Sequence, residues 1–108
     1  DVYEQGKKIR NQFQEMNGVN VNFVSFNNDI IKCRTFERGV ENETLSCGTG
    51  VVAVALYVCK KKKISDDKII VSTKGGNLSV YFKNNGDSFN EIWLKGNINK
   101  IFDGLIEL

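Results

Sequence analysis

From Val51 to Cys59 the chain is apolar almost without a break, between a Cys47-Gly48-Thr49-Gly50 entry and a Lys60-Lys61-Lys62-Lys63 exit. The β-branched residues of this run favour a strand. Its length, its alanines and the closing lysines, which suit the negative end of a helix dipole, favour a helix, and we take it as one. A helix apolar nearly all round must be buried on most sides, as one wrapped by curved sheet is. The run is about half of the ~20 residues that cross a bilayer, and no basic-then-apolar leader opens the chain, so neither membrane insertion nor export is expected.

The rest of the chain supplies the sheet. Val2, Ile9 and Phe13 fall on one face at helical spacing, predicting a helix within Asp1 to Glu15 that Gly6 weakens. Asn17-Gly18 breaks it with residues suited to a left-handed turn. Val19 to Phe23 alternates apolar and polar at period two, a strand buried on one face, with Asn20 and Asn22 together on the other. Asn27-Asn28-Asp29 is a tight turn into a second strand, Ile30 to Phe36, and so a hairpin. Gly39 to Thr44 is read as a polar loop. Strands are expected at Lys68 to Thr73, Leu78 to Phe82, Phe89 to Lys95 and Ile98 to Phe102, divided at Gly75-Gly76, Asn84-Asn85-Gly86 and Gly96. The class is α+β: a mostly antiparallel curved sheet around one central buried helix, in a single domain of 108 residues.

Composition excludes several functions. Hydrophobic residues at 41% and charged residues at 26% are those of a packed globular domain. A net charge of +2 does not call for a nucleic acid or a membrane. Cys33, Cys47 and Cys59 cannot all pair within one chain and lack the C-x-x-C spacing of a zinc or redox site, which fits a reducing cytoplasm. Histidine is absent, so acid-base chemistry falls to Cys, carboxylates, Lys or Tyr. The first residue is Asp1, and we expect a chain that starts inside a longer gene product or follows a processed tag.

Chemistry is concentrated where the loop enters the buried helix. Free N–H groups and the positive end of the dipole favour a thiolate at Cys47 and an anion beside it, while Gly48 and Gly50 let a ligand approach the backbone. A thiolate can attack an electrophile or exchange a proton, and without His to support attack, proton transfer is favoured. A purely structural buried cysteine is the competing reading. Cys33 and Cys59 look like core positions; on a helix Cys59 is ~18 Å from Cys47, beyond disulfide reach. Glu37-Arg38-Gly39 ends the second strand near the same helix mouth. Arg38 can grip a carboxylate and Glu37 an ammonium group, or the two are a solvated ion pair. Both can meet one ligand only if the strand has ended or bulged there. The lysine run reads as a solvated helix end, and Trp93 as core or interface packing.

Arg34-Thr35-Phe36-Glu37-Arg38-Gly39 followed by Glu43-Thr44-Leu45-Ser46-Cys47-Gly48-Thr49-Gly50 strongly resembles the second-half signature of diaminopimelate epimerases. Gly18 to Val24 looks like that family's asparagine-bearing strand, and Trp93-Leu94-Lys95-Gly96 to Ile101-Phe102-Asp103-Gly104 also fits. The resemblance implies a cofactor-free, pyridoxal-independent isomerase that interconverts LL- and meso-diaminopimelate with two cysteines on opposite faces of the α-carbon. Residues 1–108 would be the carboxy-terminal domain, one half of a pseudo-symmetric two-domain fold, with the partner cysteine in an amino-terminal domain. By the same resemblance Cys47 is the second-domain catalytic cysteine, Gly48 and Thr49 hold the reacting carboxylate through backbone N–H groups, and Asn20, Glu37 and Arg38 bind the distal end of the substrate.

The first-domain Asn-Gly motif with its cysteine does not appear here, since Asn85-Gly86 has no cysteine after it. The 108 residues alone are therefore expected not to epimerise substrate. An apolar face left open for the other half would favour self-association, a homodimer included. The rival readings are a related cysteine-pair enzyme, such as a proline-type racemase, and a non-catalytic binding module on the same fold.

Overall fold

A computed structural model describes all of residues 1–108. The order of elements is α1 (Val2–Asn11), a single 3-10 turn (Gln14–Met16), β1 (Val21–Asn27), β2 (Ile30–Glu37), β3 (Asn42–Thr44), α2 (Gly48–Lys62), β4 (Lys68–Thr73), β5 (Gly76–Asn84) and β6 (Phe89–Lys95). One six-stranded sheet runs β1-β2-β4-β5-β6, with β3 beside β2. Every pairing is antiparallel except β2 with β4. The α+β class with mainly antiparallel strands is as expected. No helix is long and apolar enough to cross a membrane.

The β1–β2 hairpin closes through Asn28 and Asp29, both at positive φ, the two-residue turn whose twist matches its flanking strands. Alternation then sorts β2 between two cores. Ile31, Cys33 and Thr35 face α2, and the first two join Val51, Val54, Ala55, Val58, Cys59, Ile69, Val71, Val80 and Phe82 in the main core. Phe36 turns to the other side, where it packs with Val2 and Val21 beneath α1.

Helix α2 is longer than the apolar run, since Gly48 and the lysines extend it. It ends at Lys63 in a left-handed conformation, with the Ile64 N–H donating to the Cys59 carbonyl at 3.0 Å. Its sheet-facing side is buried, but Thr49, Ala53 and Tyr57 face outward, Tyr57 at 60% exposure. The sheet thus covers one side of the helix and leaves the other open, so the helix is not buried on most sides as its apolar run implied.

The amino-terminal helix lies within the expected Asp1 to Glu15 and stops at Asn11, because its buried contacts are near its start and the chain must turn back at Asn17 (φ 57°) towards β1. Two local expectations are corrected. The Gly39 to Thr44 loop contains β3, which Arg34 and Lys74 anchor through Glu43. Ile98 to Phe102 is not a strand: β6 is the sheet's last strand, and no neighbour pairs with the chain beyond Gly96. Ile98, Ile101 and Phe102 are each at least 83% exposed. Trp93 is 71% exposed, so it is not part of the core of this chain.

Gly6, the weak point of α1 by propensity, is a packing requirement. A Cβ there would overlap the Cβ and ring of Phe36, which is fully buried and cannot retreat. Alanine gains up to about 1 kcal/mol in helix propensity, against about 1–3 kcal/mol for overpacking. Gly6→Ala is therefore expected to lower the midpoint of urea unfolding, and an unchanged or raised midpoint would refute the close contact.

Candidate functional site

Cys47 is the N-cap of α2, in extended conformation (φ −125°, ψ 112°), and its carbonyl accepts the first helical hydrogen bond from Val51 at 2.9 Å. No side chain caps this end. Helix geometry leaves the N–H groups of Gly48, Thr49 and Gly50 without intrahelical acceptors, so the positive end of α2 opens beside the sulfur. Cys47 is 6% exposed. It is not sealed in hydrocarbon: Asn20 Nδ2 lies 3.7 Å and Thr49 Oγ1 3.5 Å from its Sγ.

The first turn of α2 rests on a polar pair. Thr35 Oγ1 donates to Asn22 Oδ1 at 2.8 Å, and a Cβ on Gly50 would meet that Oδ1 at 2.5 Å and Thr35 Oγ1 at 3.3 Å. Gly50 is what allows the helix to start this close to the hairpin. A shallow groove of about 450 Å³, lined by Gly48, Thr49, Val52, Ala53 and Leu94, runs along the open side of α2.

The sequence-derived residues meet here to different degrees. Asn20 joins Cys47 directly and also accepts the Arg38 N–H on Oδ1 at 2.8 Å. Glu37 is the last residue of β2 and shares the α2-facing side with Thr35, and its Oε2 accepts from Thr44 Oγ1 at 3.0 Å. Arg38 lies past the end of the strand, followed by Gly39 at φ 91°, so the alternation that would separate Glu37 from Arg38 no longer applies. The Arg38 side chain is exposed and joins none of these contacts to Cys47. Cys33 and Cys59 are core residues, 2% and 1% exposed, and burial pushes both thiols up. No cluster of His, Cys, Asp or Glu is arranged to hold a metal ion.

Two supporting groups were not singled out from sequence. One is the Asn22–Thr35 pair, whose signal was the asparagine repeated at period two. The other is Glu43, which starts the segment leading to Cys47. Arg34 grips Glu43 with two hydrogen bonds, 2.6 and 2.7 Å, and Lys74 reaches it at 3.2 Å. These cations, Arg34 first, hold the Glu43 carboxyl down at about 2. A carboxyl depressed in the folded state stabilises the fold above its ordinary value near 4.5 and loses that contribution as the pH falls towards 2. Glu43→Gln should lower stability at pH 7 and flatten the decline in melting temperature between about pH 4.5 and 2. Identical acid limbs for parent and variant would show that the network carries no weight.

A family model described as "Diaminopimelate epimerase" matches residues 1–101. Proteins of that name from Archaeoglobus fulgidus and Flavobacterium psychrophilum are each 39% identical to this chain, over 100% and 98% of it. The chain spans 36% and 42% of their lengths. Among solved structures, a phenazine biosynthesis PhzF family protein of Enterococcus faecalis aligns over 72% of this chain and 29% of its own, with a TM-score of 0.56 at 20% identity. One from Bacillus anthracis aligns over 84% and 29%, with a TM-score of 0.54 at 22% identity. At those identities the likeness is one of fold.

Proposed function

The chain belongs to the diaminopimelate epimerase family, and from that premise we propose that residues 1–108 form the carboxy-terminal half of an isomerase that inverts the α-carbon of diaminopimelate without a cofactor. Cys47 exchanges the α-proton on one face of that carbon. The observation that carries this reading is the Cys47 sulfur at the uncapped start of α2, with Asn20 and Thr49 against it.

The chemistry follows from charge. Removing an α-proton from an amino acid pushes electron density onto its carboxylate, so catalysis requires donors aimed at those oxygens. The Gly48 and Thr49 N–H groups supply them, and the helix dipole adds to their effect. Inversion needs a second acid-base group on the opposite face. Cys33 and Cys59 are enclosed in the core and cannot serve, and by the family resemblance that group is a cysteine of an amino-terminal domain. Glu37 and Arg38 bind the distal ammonium and carboxylate, with Asn20 beside them, and so decide which stereocentre faces the sulfur.

In the full-length protein, Cys47→Ser is expected to reduce deuterium incorporation at the diaminopimelate α-carbon from D2O to near background. Retained full exchange would rule out the role of Cys47. Arg38→Ala removes a charge-assisted contact of about 1.5–3 kcal/mol, so kcat/KM for diaminopimelate should fall roughly 10- to 100-fold. A loss of less than threefold would favour a substrate without a distal zwitterion, as in a proline-type racemase.

A further inference from the structure

We propose that Asn20 is a positioning residue for the Cys47 sulfur, aimed by the backbone N–H of Arg38. The inference rests on the proton-transfer role of Cys47 and adds to Asn20 a task distinct from contact with substrate. A carboxamide has one acceptor end and one donor end. The acceptor, Oδ1, is occupied by the Arg38 N–H at 2.8 Å, which turns Nδ2 towards Sγ at 3.7 Å. The orientation is thus set by a main-chain group and does not depend on a bound ligand. An N–H donor stabilises an anionic sulfur more than a neutral thiol, so this contact favours the state that accepts a proton.

The charged surroundings leave that role to few groups. β1 carries no charged residue. Alternation turns Lys32 and Arg34 of β2, Lys68 of β4, Lys83 of β5 and Lys95 of β6 away from α2. On the α2 side of β2 stand Cys33, whose thiol burial pushes up and so keeps neutral, and Glu37, held by Thr44. The first turn of α2 has no acidic residue. Asn20 and Thr49 are the side chains within hydrogen-bonding range of the sulfur. Asn20 therefore ties the backbone of a distal-end residue, Arg38, to the reacting sulfur.

Two variants of the full-length protein separate the tether from the donor. Asn20→Asp keeps an oxygen for the Arg38 N–H but sets a carboxylate oxygen where the amide donor stood, and Asn20→Ala removes both ends. The readout is the pH profile of iodoacetamide alkylation at Cys47, followed on its peptide by mass spectrometry. Melting curves report whether each variant is folded. With Asn20→Asp the rate at pH 7 should fall about tenfold and the profile midpoint rise by about one unit. With Asn20→Ala the slowing should be smaller, about threefold. A parental profile in folded Asn20→Asp overturns the proposal. If that variant does not fold, a parental profile in Asn20→Ala does so. Alkylation requires no turnover, so failure here is distinct from failure of the Cys47→Ser exchange test.

Discussion

The start of α2 is pressed against the β1–β2 hairpin so closely that residue 50 has no room for a side chain of its own. At Gly50 the helix backbone lies over the Asn22–Thr35 hydrogen bond, and a Cβ would meet the asparagine oxygen. Apolar burial along Val51, Val54, Ala55 and Val58 holds the helix down on the sheet, and the glycine sets where along the sheet it begins. Cys47 must then stand beside Asn20, at the mouth of the hairpin. The site is a consequence of that contact.

A second core keeps the hairpin itself in place. Thr35 and Phe36 are neighbours in sequence, but the pleat sends one under α2 and the other under α1, so the two helices clamp β2 from opposite faces. α1 approaches Phe36 closely because Gly6 leaves room for the ring. The segment leading to Cys47 is held at its near end by Glu43, bound to Arg34 on β2 and Lys74 in the β4–β5 turn. Further along, the Gly75 N–H donates to the Leu45 carbonyl at 2.7 Å. Contacts from β2 and from the β4–β5 turn thus fix the approach to a helix end that no side chain caps.

Period and turn chemistry made most of this fold legible in the sequence. The hairpin turn at Asn28-Asp29, the helix after Cys47 and the core positions of Cys33 and Cys59 all stand where local rules put them. The family resemblance assigned Asn20 to the distal end of a substrate and Cys47 to its reacting carbon, and only tertiary structure brings these residues, 27 apart in sequence, into contact. Short β3 carries no periodic signal, and its antiparallel pairing with β2 is joined by ion pairs that local patterns do not encode. The Ile98 to Phe102 misreading has a different cause. Strand-forming residues between turn signals record what a segment could form, not whether a partner strand lies beside it. At the edge of this sheet there is none, and the same residues stand in solvent.

The positions where local preference fails are the ones the site needs. Gly6 weakens α1, and Gly48 and Gly50 open α2 with residues of poor helix propensity. At Gly50, an added Cβ would meet Asn22 Oδ1 at 2.5 Å and disturb the Asn22–Thr35 hydrogen bond. At Gly48, Leu94 Cδ2 would lie 3.0 Å from an added Cβ, on the side where the groove runs past the free amides. A sequence selected for helix stability alone would place alanine at all three. Glycine at these points trades local stability for close approach: of a helix to a ring, of a helix to a hydrogen bond, and of a helix start to the Leu94 side chain.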